Sequence, residues 1–266
     1  MSNILKVIEV ILIILALTYI KKYKWFDTLS SPDEEKLLQQ NVMSNSTRNI
    51  SSSSCFVAVV AKLANESSRT CGGSRISNRY ILTAAHCLEG SESVTIILIE
   101  TAPGDGAYTI ASSTFKIHPK WQPRILLNDV ALIEISPLER AHKIQQLVGF
   151  PGKKKRDRIG TLYGWEKNET SDSSKNKTMS ILRTHEVVVI DNEECAESFG
   201  GLIRKTNICT KALSYQNGCH GFSGSPLLAN GRQIGIVSFG TSKCNSGYPT
   251  VHTRVSKYRE MDPRKL

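Results

Sequence analysis

The sequence predicts an all-β fold, a barrel or sandwich built from many short strands. Three observations carry that expectation. From Cys55 onward, runs rich in Val, Ile, Thr and aromatic residues recur at short intervals. Gly, Asn, Ser and Pro punctuate them, as turns between antiparallel strands require. Helical periods are few, so the pattern is not the strand–helix alternation of a parallel sheet.

Strands are expected at residues 56–62, 80–83, 93–99, 130–135, 159–163, 185–190 and 233–239. The chain before them has a different character. Residues 7–20, VIEVILIILALTYI, form an apolar run broken only by Glu9. A membrane-spanning helix needs about 20 residues, so the length suits a signal-peptide core better. Yet Lys21, Lys22 and Lys24 come next, where a small-residue cleavage site would stand. Positive charge on that side opposes export of the downstream chain. Glycosylation tripeptides at Asn45, Asn49, Asn65, Asn168 and Asn176 argue for the secretory route. Residues 1–24 therefore read as an uncleaved membrane anchor or an atypical signal peptide. The protein reads as secreted or extracellular, tethered in the first case. Residues 25–54 are polar and rich in Ser and Asn, and read as a stem with a short helix around 32–40. Residues 55–266 read as the folded domain.

The length of 266 residues suits one such domain with an N-terminal extension. A composition 40% hydrophobic and 22% charged is ordinary for a globular protein. The net charge of +10 favours acidic surfaces or aids solubility. Lys and Arg are scattered and no binding motif accompanies them, which argues against nucleic acid. The basic run at 153–158 reads as a solvated loop. Seven cysteines imply a disulfide framework with one left over, and spacing alone does not fix its connectivity. A zinc site would want paired C-x-x-C spacing, which is absent, so no metal and no cofactor are expected.

The chemistry concentrates in residues 219–226, CHGFSGSP. Ser223 stands in a short, glycine-containing turn. Glycine lets backbone N–H groups approach a substrate carbonyl closely, because no Cβ blocks the way. Two such donors, from Gly221 and Ser223, would make an oxyanion hole. A serine needs a base to take its proton, and a histidine base needs a buried carboxylate to hold its tautomer. His86 in ILTAAHC and Asp129 in NDVALIEI supply both, each in an apolar, strand-like setting.

On the motifs LTAAHC, NDVALIEI and GFSGSP, in the order His, Asp, Ser, the chain resembles the trypsin/chymotrypsin-like serine proteases. The resemblance runs from about Cys55 to about Tyr258, and segments such as GYPTVHTRV look most like arthropod chymotrypsins. It implies two antiparallel six-stranded β-barrels with the active site between them. It implies protein or peptide substrates, with Ser223 as nucleophile, His86 as base and Asp129 as the residue that orients it. It also implies disulfides Cys71–Cys87, Cys195–Cys209 and Cys219–Cys244. Cys55 has no partner in that pattern and is free or joins another chain. The specificity pocket would be formed by Asn217 at its base, with His220, Ser238, Phe239, Gly240 and Thr250 around it. Asn217 offers no charge to a basic side chain, and Thr250 would narrow the pocket.

One position departs from the family. An Asp normally precedes the nucleophile and pairs with an ammonium freed by cleavage before Ile-Val-Gly-Gly. Here that position is Phe222, and no such tetrapeptide precedes Cys55. Losing both halves of a buried ion pair is physically consistent, because apolar packing can replace one without penalty. Two readings are open: an endopeptidase that needs no freed N-terminus, or a catalytically impaired homologue acting as a binding or regulatory protein. A tethered interaction module with no use for the triad leaves the intact triad unexplained.

Overall fold

The computed structural model describes residues 29–30, 55–99, 107–137, 159–167, 180–213, 222–241 and 247–261. The apolar run at 7–20, the expected helix at 32–40 and the basic run at 153–158 lie outside these. Among the described residues no helix is long and apolar enough to cross a membrane.

The first half is a curled antiparallel sheet. Its strands are β1 (Leu29–Ser30), β2 (Phe56–Leu63), β3 (Ser68–Arg75), β4 (Tyr80–Thr83), β5 (Ser91–Ile99), β6 (Ala107–Ser112), β7 (Phe115–Ile117) and β8 (Ala131–Glu134). The strand order is β6-β5-β2-β3-β4-β8-β7, with β1 added beside β3. The ends of that order, β6 and β7, are consecutive in the chain, so the sheet curls back on itself at their bend. There the Ser112 hydroxyl donates to the Glu134 carbonyl at 2.6 Å.

The second half is a closed six-stranded barrel in the order β10-β11-β14-β13-β12-β9. These are β9 (Ile159–Lys167), β10 (Ser180–Ile190), β11 (Asn207–Ala212), β12 (Pro226–Ala229), β13 (Arg232–Phe239) and β14 (Thr250–Arg254). The expectation of two antiparallel β-barrels is met, the first as a curled half-barrel and the second as a closed one. Every strand expected from the sequence is present. The segments missed include SRTCGGSR in β3, which is poor in β-branched residues, and the short β14, TVHTR, which is not, together with two helices, α1 (Ala85–Leu88) and α2 (Asn192–Phe199).

Strand β2 shows why the halves lie together. Its first six residues are all buried. Val57, Val59 and Ala61 enter the core of the first half. Phe56, Ala58 and Val60 face the other way, against Tyr163 and Leu228 of the barrel. A strand covered on both faces reads as a continuous apolar run rather than an alternating one, and FVAVVA is such a run. The Ser74 hydroxyl adds a buried hydrogen bond to Gln233 Oε1 across this contact, at 2.7 Å.

Two disulfides are present among the described residues, Cys71–Cys87 and Cys195–Cys209. They tie α1 to β3 and α2 to β11. Loops of this length are worth roughly 3 kcal/mol each in the chain-entropy picture. Cys219 and Cys244 lie outside the described residues.

Candidate active site

Strand β4 delivers the chain into α1, a single turn whose four residues are all buried. His86 sits on that turn, and the Cys71–Cys87 disulfide fastens it to β3. The Arg69 guanidinium donates to the His86 carbonyl from the same strand. Asp129 stands two residues before β8, which pairs with β4. That pairing carries the carboxylate to the histidine.

Asp129 is fully buried, and His86 is 5% exposed. A buried carboxylate is tolerable only when paired and hydrogen-bonded, and Asp129 is surrounded by donors. Its Oδ1 accepts from the His86 backbone N–H at 2.9 Å, and its Oδ2 lies 2.8 Å from His86 Nδ1. The Ser238 hydroxyl donates to Oδ2 at 2.5 Å, and the Thr253 hydroxyl donates to the Asp129 carbonyl at 2.7 Å. The ionised carboxylate only accepts, so the Nδ1 proton belongs between the two. That leaves Nε2 as the unprotonated nitrogen of the ring, 3.6 Å from Cys87 Sγ.

Ser223 comes from the second half, in the turn before β12. It is half-buried. Three backbone bonds set the turn. The Gly72 N–H donates to the Ser223 carbonyl at 2.7 Å, Gly224 N–H to Val237 at 2.9 Å, and Ser225 N–H to Phe222 at 2.9 Å. Gly224 has φ +76°, and a Cβ there would lie 2.4 Å from Thr83 Oγ1 and 3.1 Å from Cys87 Sγ. Only glycine fits that conformation and that approach. The serine turn and His86 Nε2 thus rest against the same disulfide sulfur. Ser223, His86 and Asp129 thus all lie near the junction of the halves, an arrangement suited to acyl transfer.

Phe222 turns away from this junction into the barrel. It is 6% exposed and belongs to the core with Leu162, Val187 and Val237. Its ring meets His185 edge-on at 5.2 Å. It lies so close to Gly164 that a Cβ there would sit 2.3 Å from Phe222 Cδ1. The side chain before the nucleophile is therefore held by a glycine notch and an apolar core rather than by charge.

The remaining residues singled out from sequence divide into three groups. Asn217, His220 and Gly221 lie outside the described residues. Gly240 and Thr250 face each other, with Thr250 Oγ1 3.9 Å from where a Gly240 Cβ would be. Ser238 and Phe239 are both buried. Ser238 spends its hydroxyl on Asp129, and Phe239 packs edge-on to Phe199 at 5.4 Å beside the Cys195–Cys209 disulfide.

Cys55 is free and 2% exposed, and burial pushes its thiol up to about 11. It stays a shielded thiol, which disfavours bonding to another chain. Cys71, His86 and Cys87 bring three potential metal-ligand atoms within 4.8 Å of one another. The two sulfurs are bonded to each other, so no thiolate is available there. Sequence reasoning missed the second-half residues that serve Asp129, namely Ser238 in that role and Thr253. Neither carries a local signal, because their partner is more than a hundred residues away.

Residues 45–261 match the family model described as Trypsin. The chain is similar to the chymotrypsin of Phaedon cochleariae, 34% identical over 203 residues, covering 73% of this chain and 71% of the relative. It is similar to the brachyurin of Leptuca pugilator, 34% identical over 195 residues, covering 71% and 84%. Among solved structures it is similar to HL collagenase, with a TM-score of 0.71 and 29% identity, covering 84% of this chain and 97% of that one.

Proposed function

The chain belongs to the trypsin/chymotrypsin-like serine protease family, and from that premise we propose that it is a serine endopeptidase working without a freed N-terminus. The observation that carries this is the buried Asp129–His86 pair, complete to its third donor Ser238, with the serine turn seated beside it. In this reading, Ser223 Oγ attacks the substrate carbonyl as its proton passes to His86 Nε2. The tetrahedral adduct collapses, and the leaving amine takes that proton. Water then attacks the acyl-enzyme with His86 as base again and restores Ser223. Asp129 stays ionised and holds the imidazole. The N–H groups of Gly221 and Ser223 are assigned to the oxyanion, each worth roughly 3–4 kcal/mol of barrier.

Phe222 supports the second part of the proposal. In the family's usual arrangement a carboxylate at this position needs an incoming ammonium before the turn is ordered. Here an aromatic ring already fills its notch against Gly164 and His185. Specificity is assigned to small or medium apolar residues, because Asn217 brings no charge and Thr250 closes on Gly240. Residues 55–266 are assigned as the protease domain, 25–54 as a stem and 1–24 as a signal or anchor. Two disulfides and an exposed tripeptide at Asn65 suit an oxidising, extracellular setting. The departure at Phe222 also favours a second reading, a protease-like binding or regulatory protein.

A fluorophosphonate probe on the purified chain separates the two. Labelling that Ser223→Ala abolishes supports the enzyme, with a peptide library then showing weak cleavage after Lys or Arg. Full labelling of Ser223→Ala overturns the assignment of the nucleophile. No labelling of the intact chain favours the binding protein.

A further inference from the structure

Asp129 is held through its neighbour as well as through its own atoms. Asn128 precedes it with φ 61°, in the left-handed region that Asn tolerates better than most residues. Its amide donates to the Lys120 carbonyl at 2.6 Å. Its Oδ1 accepts from the Tyr258 hydroxyl at 3.1 Å. On the other side of the carboxylate, the Val130 carbonyl accepts from the His118 N–H at 3.1 Å.

Tyr258 lies beyond β14, at the end of the second half, yet it is only 6% exposed and sits in the core of the first. His118 meets the ring edge-on at 5.3 Å. The His118 Nδ1 accepts from the Lys120 N–H at 3.1 Å, and its Nε2 lies 3.5 Å from Glu260. The Thr206 side chain also hydrogen-bonds Tyr258, and burial pushes the phenol up to about 12, so it stays a donor across the neutral range.

We propose that Tyr258 is a positioning residue for Asp129, acting through Asn128 to aim the carboxylate at His86 Nδ1. The returning C-terminal segment would then be part of the site's framework and not only a cap on the core. The kinetic consequence rests on the endopeptidase reading, but the structural one does not. A misdirected carboxylate weakens its bond to Nδ1–H whether or not a substrate is ever cut.

The test therefore reads two signals. Tyr258→Phe removes the hydroxyl alone. Asn128→Gly keeps the left-handed backbone accessible and removes the amide. The low-field proton resonance of His86 Nδ1–H should shift in both, and the double variant should be no worse than the more affected single, since the residues act in one chain. On a peptide substrate, kcat should fall about ten-fold with KM little changed, because small displacements of catalytic groups cost rate steeply. The acid limb of the pH profile should move as well. Tyr80→Phe, a control on the same core, should leave the resonance in place. Should Tyr258→Phe lower Tm while the resonance, kcat and pH profile all stay unchanged, Tyr258 is merely structural and the proposal fails. Should wild type prove inactive, the resonance alone decides, and the endopeptidase reading fails separately.

Discussion

In the first half, His86 and Asp129 sit on paired segments and are fixed by polar contacts: a carboxylate with three donors, a backbone N–H among them, and a disulfide. In the second half, Ser223 sits in a turn whose preceding side chain is fixed by shape alone, a phenyl ring in a glycine notch. The first arrangement tolerates no change of charge. The second tolerates no change of volume. The difference teaches that one site can be assembled from two kinds of order, and that each kind should fail in its own way.

The largest effect should come from breaking the polar side. Asp129→Asn keeps the shape but reverses the preferred tautomer of His86, and should lower kcat roughly ten-thousand-fold on a peptide substrate. The protein should stay folded, because the Cys71–Cys87 disulfide and the β4–β8 pairing do not depend on that charge. A loss of less than ten-fold would mean the pair does not serve catalysis.

Next comes the packed side. Gly164→Ala places a methyl 2.3 Å from Phe222 Cδ1, so the ring must move. Overpacking of this kind costs about 1–3 kcal/mol, and the probe-labelling rate of Ser223 should fall with Tm. Adding Phe222→Leu should recover part of both. If Gly164→Ala lowers Tm but leaves labelling untouched, the ring supports the barrel and not the serine turn.

The smallest effect at neutral pH concerns a polar group buried away from the site. His252 is fully buried on β14, with Nε2 2.8 Å from Thr210 Oγ1 and no partner for Nδ1 among the described residues. Burial lowers its pKa from 6.5 to about 3. Above 6.5 both folded and unfolded chains carry it neutral, so its contribution is complete. Between 6.5 and about 3 only the unfolded chain takes up the proton, and stability falls by about 1.4 kcal/mol per pH unit as the solution is acidified. Tm measured against pH should show a shallower acid slope in His252→Gln. Equal slopes would place the acid sensitivity elsewhere.

Much of this was legible in the chain because it is local. Runs such as FVAVVA and RQIGIVSF carry their strand character in their own composition, and the three motifs single out His86, Asp129 and Ser223 without help. What stayed hidden was fixed at a distance. Strand β3 is poor in strand formers but is flanked on both sides by β2 and β4, and that pairing overrides its composition. Helix α2 carries Glu193 and Glu194 in its first turn after Asp191, a start signal overlooked among so many strands. Ser238 looks like a wall residue until β13 and the Asp129 loop are brought together. Among the described residues beyond β14, two short turns bury Tyr258 and Met261, which the charged composition of the segment does not suggest.

The central claim is that Phe222 replaces the usual charged switch. Three chains compared on one peptide substrate test it most directly: wild type, Phe222→Asp, and Phe222→Asp with a freed Ile-Val-Gly-Gly terminus placed just before β2. A Phe222 that stands in for the switch predicts an active wild type. It predicts loss of activity in the single substitution, because a lone carboxylate is buried in the barrel core, and recovery when the ammonium is supplied. An inactive wild type beside an active third chain would contradict it, and would make the native protein a protease that has lost its switch and its catalysis together.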